Sequence, residues 1–415
     1  MVTRSPPSRR ITNVYVHAPF CARRCCYCDF AVEVDRSPAG SRWLAAIGAE
    51  LDTLRASGEA PLAPSLDTLY VGGGTPSLLE PRFIAGLAGV IGPGRVENPE
   101  LEWTVEANPE SFSERAAEVW AGGGVNRISF GVQSFDPGAL NWMGRLHCAA
   151  DARAAVQRAR AAGVANLSVD LIFGLPDNVS RSWEDDVMRA LELAVPHISL
   201  YGLTVEKGTP LHRAVGEGRA PMPADERYRE EYLYAAEMLT RAGYRHYEVS
   251  NFAFPGFASR HNRACWKGEP YLGLGNGAHS YHAGRRWWNE RDWAVYAEGI
   301  MKSGRARAGD EVPSAEQSRL EALWLRLRTA EGLNDDRLSA AARPVFRRWE
   351  AAGWARRSAG RTSLTPRGWL LLDELTVELE TALGDPGTRH RGSRGVSVSA
   401  GDFAARARLP VHGGA

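Results

Sequence analysis

The sequence predicts an α/β chain: an open, partial (β/α)6 barrel over residues 11–222, then a mostly helical, winged-helix-like C-terminal region over 223–384. Three observations predict it. Short apolar β-type runs alternate with Ala- and Leu-rich stretches through the first half, the pattern of parallel β/α units. Polar and glycine-rich segments sit at the C-terminal side of each apolar run, where barrels of this class gather functional groups. Near residue 222 the alternation stops and helical periodicity takes over.

Strands are expected at 14–17, 66–71, 101–106, 127–130, 167–171 and 198–203. Crossover helices are expected near 42–56, 81–91, 112–121, 149–162 and 181–194, each long enough to return the chain to a parallel neighbour. The strand ends then follow in order. Residues 21–28 with their cysteines come after the first strand, Gly72-Gly73-Gly74-Thr75-Pro76 after the second, and Glu106-Ala107-Asn108-Pro109 close the third. Gly131-Val132-Gln133-Ser134 follow the fourth, Asp170 lies near the end of the fifth, and Tyr201 to Thr204 end the sixth. Beyond 222, a helix over 224–242 precedes an aromatic, glycine-broken region at 246–293. Helical runs near 315–330 and 335–352 lead to a short strand from Arg361 and a last helix over 366–383. Residues 1–10 read as a flexible N-terminus and 385–415, aperiodic in Gly, Ser, Arg and Ala, as a disordered tail.

The 415 residues are 44% hydrophobic, ample for a large domain and a smaller companion. Fifty basic residues face 49 acidic ones, a net of +1, so charge gives no reason to expect nucleic acid or an anionic membrane as partner. Lysine occurs only at 207, 267 and 302; the arginine bias reads as that of a GC-rich genome. No apolar run approaches the roughly 20 residues of a membrane span, and the N-terminus lacks a secretory apolar core. Four of the six cysteines fall within residues 21–28, which fits a metal in a reducing compartment better than disulfides. A cytoplasmic location is expected.

Cys21, Cys25 and Cys28 stand in the spacing C-x-x-x-C-x-x-C. Three thiolates on one tight loop bind three irons of a [4Fe–4S] cubane and leave the fourth open to a ligand. The alternative is a zinc knuckle, but structural zinc usually takes four ligands and only three are in register. Cys26 is off that register and either packs inward or lies idle. Cys148 reads as a buried small side chain.

With His17-Ala-Pro-Phe before it and Tyr27-Cys28-Asp29-Phe30 closing it, the loop resembles the radical S-adenosylmethionine superfamily. Within it, the chain is similar to the oxygen-independent coproporphyrinogen III oxidases and the related HemW haem chaperones, from about Asn13 to Glu380. The resemblance implies a [4Fe–4S] cluster and S-adenosylmethionine as cofactors. It implies that Gly73, Gly74 and Thr75 meet the methionyl amino group, and that Glu106 and Asp170 take ribose hydroxyls or the ammonium. Taken alone, the glycines read as a turn and each acid as a solvated or capping carboxylate. Gln133 and Arg145 fall where the family places polar cofactor contacts, and Tyr15 and Tyr27 flank the cluster loop. The implied chemistry is electron transfer from the reduced cluster into the sulfonium, giving a 5′-deoxyadenosyl radical.

Two readings of that resemblance stay open, and three handles separate them. The oxidases carry a further cysteine two residues after the third; here Phe30 stands there. The oxidases also have a sizeable extension before the loop, whereas Cys21 comes early here. Third, His261-Asn262-Arg263-Ala264-Cys265-Trp266 resembles the chaperones' H-N-x-x-Y-W motif, with Cys265 in place of tyrosine. His261 is thereby implied as an axial haem ligand, against the plain reading of a hydrogen-bonded structural histidine. The expectation is a haem chaperone that passes haem to an acceptor haemoprotein, with one of a respiratory chain and a dimer among the compatible states. The alternative is an oxidoreductase that decarboxylates coproporphyrinogen III. His279, in Tyr271-Leu-Gly-Leu-Gly-Asn-Gly-Ala-His279-Ser, either faces the adenosyl end or closes a turn.

Overall fold

A computed structural model describes residues 10–384. The expected tail at 385–415, and the expected N-terminal segment up to residue 9, lie outside the described residues. Six parallel strands run side by side in chain order: β1 (Asn13–Ala18), β2 (Thr68–Gly73), β3 (Glu102–Ala107), β4 (Arg127–Gln133), β5 (Asn166–Phe173) and β6 (His197–Gly202). Each expected strand is present: the first, fourth and fifth are longer by two or three residues, and the second, third and sixth are shifted by one or two at the same length. Helices Gly40–Ala56, Glu114–Gly122, Ala149–Ala161 and Trp183–Glu192 make the crossovers, with a divided one, Pro81–Ala85 and Leu87–Ile91, between β2 and β3. Ser113 and Ser182 cap two of them, each Oγ accepting from the backbone N–H three residues on.

Period-two alternation decides which side chains enter the barrel. Val14 and Val16 on β1, Leu69 and Val71 on β2, and Trp103 and Val105 on β3 all join one continuous core under the helices. Their neighbours point the other way and are polar. Thr68 donates to Asn13 at 2.9 Å, Tyr70 to Glu106 at 2.7 Å, and Ser129 to Asp170 at 3.2 Å, while Ser168 is hydrogen-bonded to His197 at 2.7 Å. The lumen is therefore a layered polar interior bonded largely strand to strand, with Thr104 Oγ1 and Arg127 Nε buried without a hydrogen-bond partner.

The sheet does not stop at six strands. β8 (Asn251–Ala253) adds antiparallel to β6, and β7 (Arg245–Glu248) pairs antiparallel to β8 at the edge. At the other edge β9 (Tyr271–Leu274) lies parallel to β1, with β10 (His279–His282), β11 (Arg285–Asn289) and β12 (Arg307–Glu311) antiparallel beyond it. The sheet totals 12 strands, and the aromatic, glycine-broken region contributes β8 to β11 to it. Its glycines have packing reasons: a Cβ on Gly273 would fall 2.0 Å from the His279 carbonyl oxygen.

Helical character holds from residue 315. Helices Ala315–Leu327, Ala342–Ala351 and Leu372–Leu383 enclose a second core around Trp349 and Trp369. They pack with a small antiparallel sheet of β13 (Leu333–Asn334), β14 (Ala355–Ser358) and β15 (Arg361–Leu364), in the order β13-β15-β14, the winged-helix-like arrangement. Among the described residues, no helix is long and apolar enough to cross a membrane.

Candidate functional site

One cleft opens at the C-terminal ends of the barrel strands. It is lined by Cys21, Cys25, Cys28 and Tyr27 from the loop after β1, Gly73, Gly74 and Thr75 after β2, Glu106 and Asn108 after β3, Ser129, Gly131 and Gln133 of β4, Arg145, Asp170 of β5 and Tyr201 of β6. Every residue expected at the cluster and S-adenosylmethionine site except Tyr15 is in that wall. Tyr15 stands one layer deeper, its hydroxyl 2.9 Å from His17 Nδ1 and its ring 6.1 Å from that of Tyr70. It supports His17, which is bonded in turn to the Ala31 carbonyl at 3.0 Å and so braces the far end of the cysteine loop. Burial, with Arg291 nearby, lowers the His17 pKa to about 4, so the imidazole is neutral at pH 7.

The loop is held from several sides. Cys26 N donates to the Met143 carbonyl at 3.2 Å, and Arg24 reaches the carbonyls of Cys28 and Phe30 at 3.4 and 3.3 Å. Thr75 Oγ1 lies 3.6 Å from Cys21 Sγ, and Arg145 Nη1 3.9 Å from Cys25 Sγ. Arg145 also donates to Asn108 Oδ1 at 2.7 Å and to the Gly131 carbonyl, tying the loop to β3 and β4. Burial works against its charge, but Cys25, Tyr27 and Glu110 around it outweigh that and raise its pKa. Burial pushes the thiols of Cys21 and Cys28 up to about 11 and about 12, so metal must displace bound protons there. Cys26 faces away, its Sγ 3.5 Å from the Trp142 carbonyl. Cys148 corrects its expectation: it is exposed, preceding helix Ala149–Ala161, with its N–H donating to Asp151 at 2.7 Å.

The glycine run has a sharper purpose than ligand approach alone. A Cβ on Gly72 would meet the Glu106 carboxylate at 2.7 Å, one on Gly73 the His17 ring at 2.3 Å, and one on Gly74 the Pro19 and Phe20 backbone at 2.7 Å. The run lets the cysteine loop and Glu106 close on β2. Gly73 N–H donates to Glu106 Oε2 at 3.0 Å. Burial, then Asp170 nearby, raises the Glu106 pKa to about 7, and burial likewise raises that of Asp170. At the end of β4 the register slips between Gly131 and Gln133, and Gln133 takes φ 67, rare for a side-chain-bearing residue. That bulge aims Gln133 into the cleft with its buried Oε1 lacking a protein partner, a polar atom awaiting a ligand.

These residues fit a cubane and a nucleoside-bearing ligand. Three thiols converge on one wall, donors and acceptors stand opposite, and Gln133 Oε1 is unsatisfied. No three His, Cys, Asp or Glu side chains among the described residues are grouped as ligands of a single metal ion. Thiols around a cubane spread wider than that, each on a different iron. The cleft has a volume of about 90 Å³, below the about 300–1,000 Å³ of small-molecule sites. Sequence reasoning missed Ser129, whose inward strand position was the available signal; it set Asn108 and Tyr201 at strand ends without a role, and only the fold joins Asn108 to Arg145.

His261 lies at the other end of the barrel. Helix Arg260–Trp266 plugs the floor where β2 and β3 begin. His261 is 0% exposed, bonded through Nδ1 to Thr68 Oγ1 at 2.7 Å, with its ring 5.1 Å from that of Tyr70. Glu102 caps the helix, its Oε2 and Oε1 accepting from the N–H groups of Arg260 and His261 at 2.9 and 3.0 Å. Burial, with Arg127 nearby, lowers the His261 pKa to about 3. His279, half-buried on β10, stacks on Trp288 at 5.8 Å and does not line the cleft.

Residues 15–190 match the family model of the radical S-adenosylmethionine superfamily. Over 374 residues the chain is 37% identical to the haem chaperone HemW of Mycobacterium tuberculosis, covering 88% of this chain and 94% of that one. The chain belongs to the HemW family. HemW of Bacillus subtilis agrees, 34% identical over 331 residues, with 79% of this chain and 86% of the relative covered. The solved structure of coproporphyrinogen III oxidase (HemN) from Escherichia coli shares the fold, with a TM-score of 0.75 over 90% of this chain and 91% of that one, at 21% identity. Membership of the HemW family, through its radical S-adenosylmethionine domain, implies a [4Fe–4S] cluster and S-adenosylmethionine at the cleft just described.

Proposed function

We propose that this protein binds haem in its C-terminal half and delivers it to an acceptor haemoprotein, one of a respiratory chain, in the cytoplasm. The observation that carries the reading is the match to haem chaperones across nearly their whole length, 94% of the first. Phe30 supports it: where the oxidases present a further cysteine, an apolar ring lines the cleft.

Cys21, Cys25 and Cys28 would hold the cluster, with Arg145 neutralising part of its thiolate charge. Gly73, Gly74, Thr75, Glu106, Gln133 and Asp170 would hold S-adenosylmethionine. When bound, the reduced cluster supplies an electron to the sulfonium. This chain's residues position that ligand and keep its carboxylate partners protonated or charged according to pH. His261 serves as a haem ligand only once helix Arg260–Trp266 leaves the barrel floor, since it is fully buried there.

The test is anaerobic reconstitution followed by haem titration, haem transfer to an apo-haemoprotein, and a coproporphyrinogen turnover assay on one preparation. Saturable binding and transfer without turnover is expected. Turnover at an enzymatic rate would replace the chaperone with an oxidase.

A further inference from the structure

One lumen side chain belongs to both ends of the barrel. Alternation along β2 turns Thr68 and Tyr70 inward, one layer apart. Thr68 is hydrogen-bonded to His261 of the floor-plugging helix Arg260–Trp266, and the ring of Tyr70 lies against the same imidazole, centroids 5.1 Å apart and planes tilted by 34°. The hydroxyl at the far end of that ring donates to Glu106 Oε1 at 2.7 Å, in the wall of the cleft. Burial, with Glu106 beside it, raises the Tyr70 pKa well above the ordinary phenol value, so the hydroxyl keeps its proton. One rigid ring therefore reaches from the floor to the cleft.

Both oxygens of Glu106 are anchored. Oε1 accepts from Tyr70 and Oε2 from the Gly73 N–H, and the carboxylate lies over Gly72, where a Cβ would fall 2.7 Å away. The sheet fixes the backbone donor, whereas the phenol is placed by what its ring packs against. Turning the phenol breaks its bond to Glu106, and displacing the ring breaks its packing on His261. A ligand ammonium or hydroxyl that donates to Glu106 favours the ionised carboxylate. A hydrogen bond to an ionised oxygen is roughly twice as strong as one to a neutral acceptor, so such a ligand tightens the grip of Glu106 on Tyr70. The tightened bond holds the ring where it meets His261.

We infer that Tyr70 couples the two ends of the barrel: S-adenosylmethionine at Glu106 seats helix Arg260–Trp266 more firmly, and withdrawal of the helix frees Tyr70 and loosens Glu106. The inference rests on the reading of Glu106 as a contact to S-adenosylmethionine and adds the regulation of that site. Tyr70 is a positioning residue, bonded to the carboxylate and standing behind the cleft wall. The element with two arrangements is the helix, seated on the floor or withdrawn from it. Coupling is reciprocal. Whatever draws the helix away, a haem at His261 included, weakens S-adenosylmethionine by the same factor that S-adenosylmethionine sets against the withdrawal.

The test is hydrogen–deuterium exchange of residues 260–266 in the full chain, reconstituted anaerobically, with the cluster left oxidised so that S-adenosylmethionine stays intact. Cluster content and circular dichroism confirm the fold of Tyr70→Phe and Thr68→Val. In the wild type, saturating S-adenosylmethionine should slow exchange of this segment about fivefold or more, beyond any change in helix Leu372–Leu383 of the C-terminal lobe. Tyr70→Phe keeps the ring and loses the hydroxyl. It should bind S-adenosylmethionine several-fold more weakly and, at saturation, show no slowing. Thr68→Val removes the direct bond to His261, so exchange should be faster with and without ligand while the slowing is retained. Slowing that survives in Tyr70→Phe, or that is lost in Thr68→Val, overturns the coupling. So does a wild type that binds S-adenosylmethionine and shows no slowing. A wild type that binds no S-adenosylmethionine brings down the cofactor reading first and the coupling with it, which tells the two failures apart.

Discussion

Replacing Glu106 with glutamine should flatten part of the pH dependence of stability. Burial lifts this carboxyl from 4.5 to about 7, so the folded state holds its proton more tightly than the unfolded chain does. The sign follows: the folded protein is favoured while the group stays protonated, and stability falls as pH rises from 4.5 to 7, then levels. At about 1.4 kcal/mol per pH unit the full effect is about 3 kcal/mol. The side chain is only half-buried, opening onto the cleft, so water there reduces the expected change to about 1–3 kcal/mol. Glutamine can still accept from Tyr70 but sets an amide N–H against the Gly73 N–H, a loss of about 1 kcal/mol that does not vary with pH. Urea denaturation of the cluster-free protein, in steps from pH 5 to pH 8, should show the variant gaining on the wild type across that window. Glu50, also lifted to about 7 by burial, contributes the same slope to both proteins and cancels in the difference. Parallel profiles would refute the reasoning. A bound ammonium at Glu106 should draw its proton off, so S-adenosylmethionine titrated at pH 7 should release up to about half a proton, and none in the variant.

Serine at Cys21, Cys25 or Cys28 should abolish iron and sulfide retention, measured after anaerobic reconstitution, whereas Cys26→Ser should retain the cluster because that thiol faces Trp142. Gly74→Ala should destabilise the apo-protein by about 1–3 kcal/mol, read from its denaturation midpoint, as the new methyl meets the Pro19 and Phe20 backbone at 2.7 Å. The amides of Arg260 and His261 should exchange with deuterium at least about 10³-fold more slowly than free peptide amides, since Glu102 accepts from both.

The six barrel strands were legible because each carries its own alternation, apolar toward the helices and polar toward the lumen. The cluster loop was legible because its three ligands are local. The sheet extension was not: β10 reads His-Ser-Tyr-His and β11 Arg-Arg-Trp-Trp-Asn, with no apolar alternation. Their strand state comes from pairing onto β9, which is itself set beside β1 by a contact across the chain. The depth of His261 was equally out of reach. The residues that bury it, Thr68 and Glu102, lie 193 and 159 positions away, so no window of sequence could distinguish a surface ligand from a core histidine.

That depth has an energetic consequence for how haem is handled. Freeing His261 means breaking its bond to Thr68, worth about 1 kcal/mol, and two backbone N–H bonds to the Glu102 carboxylate, each worth about 1.5–3 kcal/mol. The open floor therefore costs about 4 kcal/mol or more, which populates it below about one molecule in 10³. Any affinity for haem at His261 is reduced by that fraction, whatever the strength of the iron–nitrogen bond.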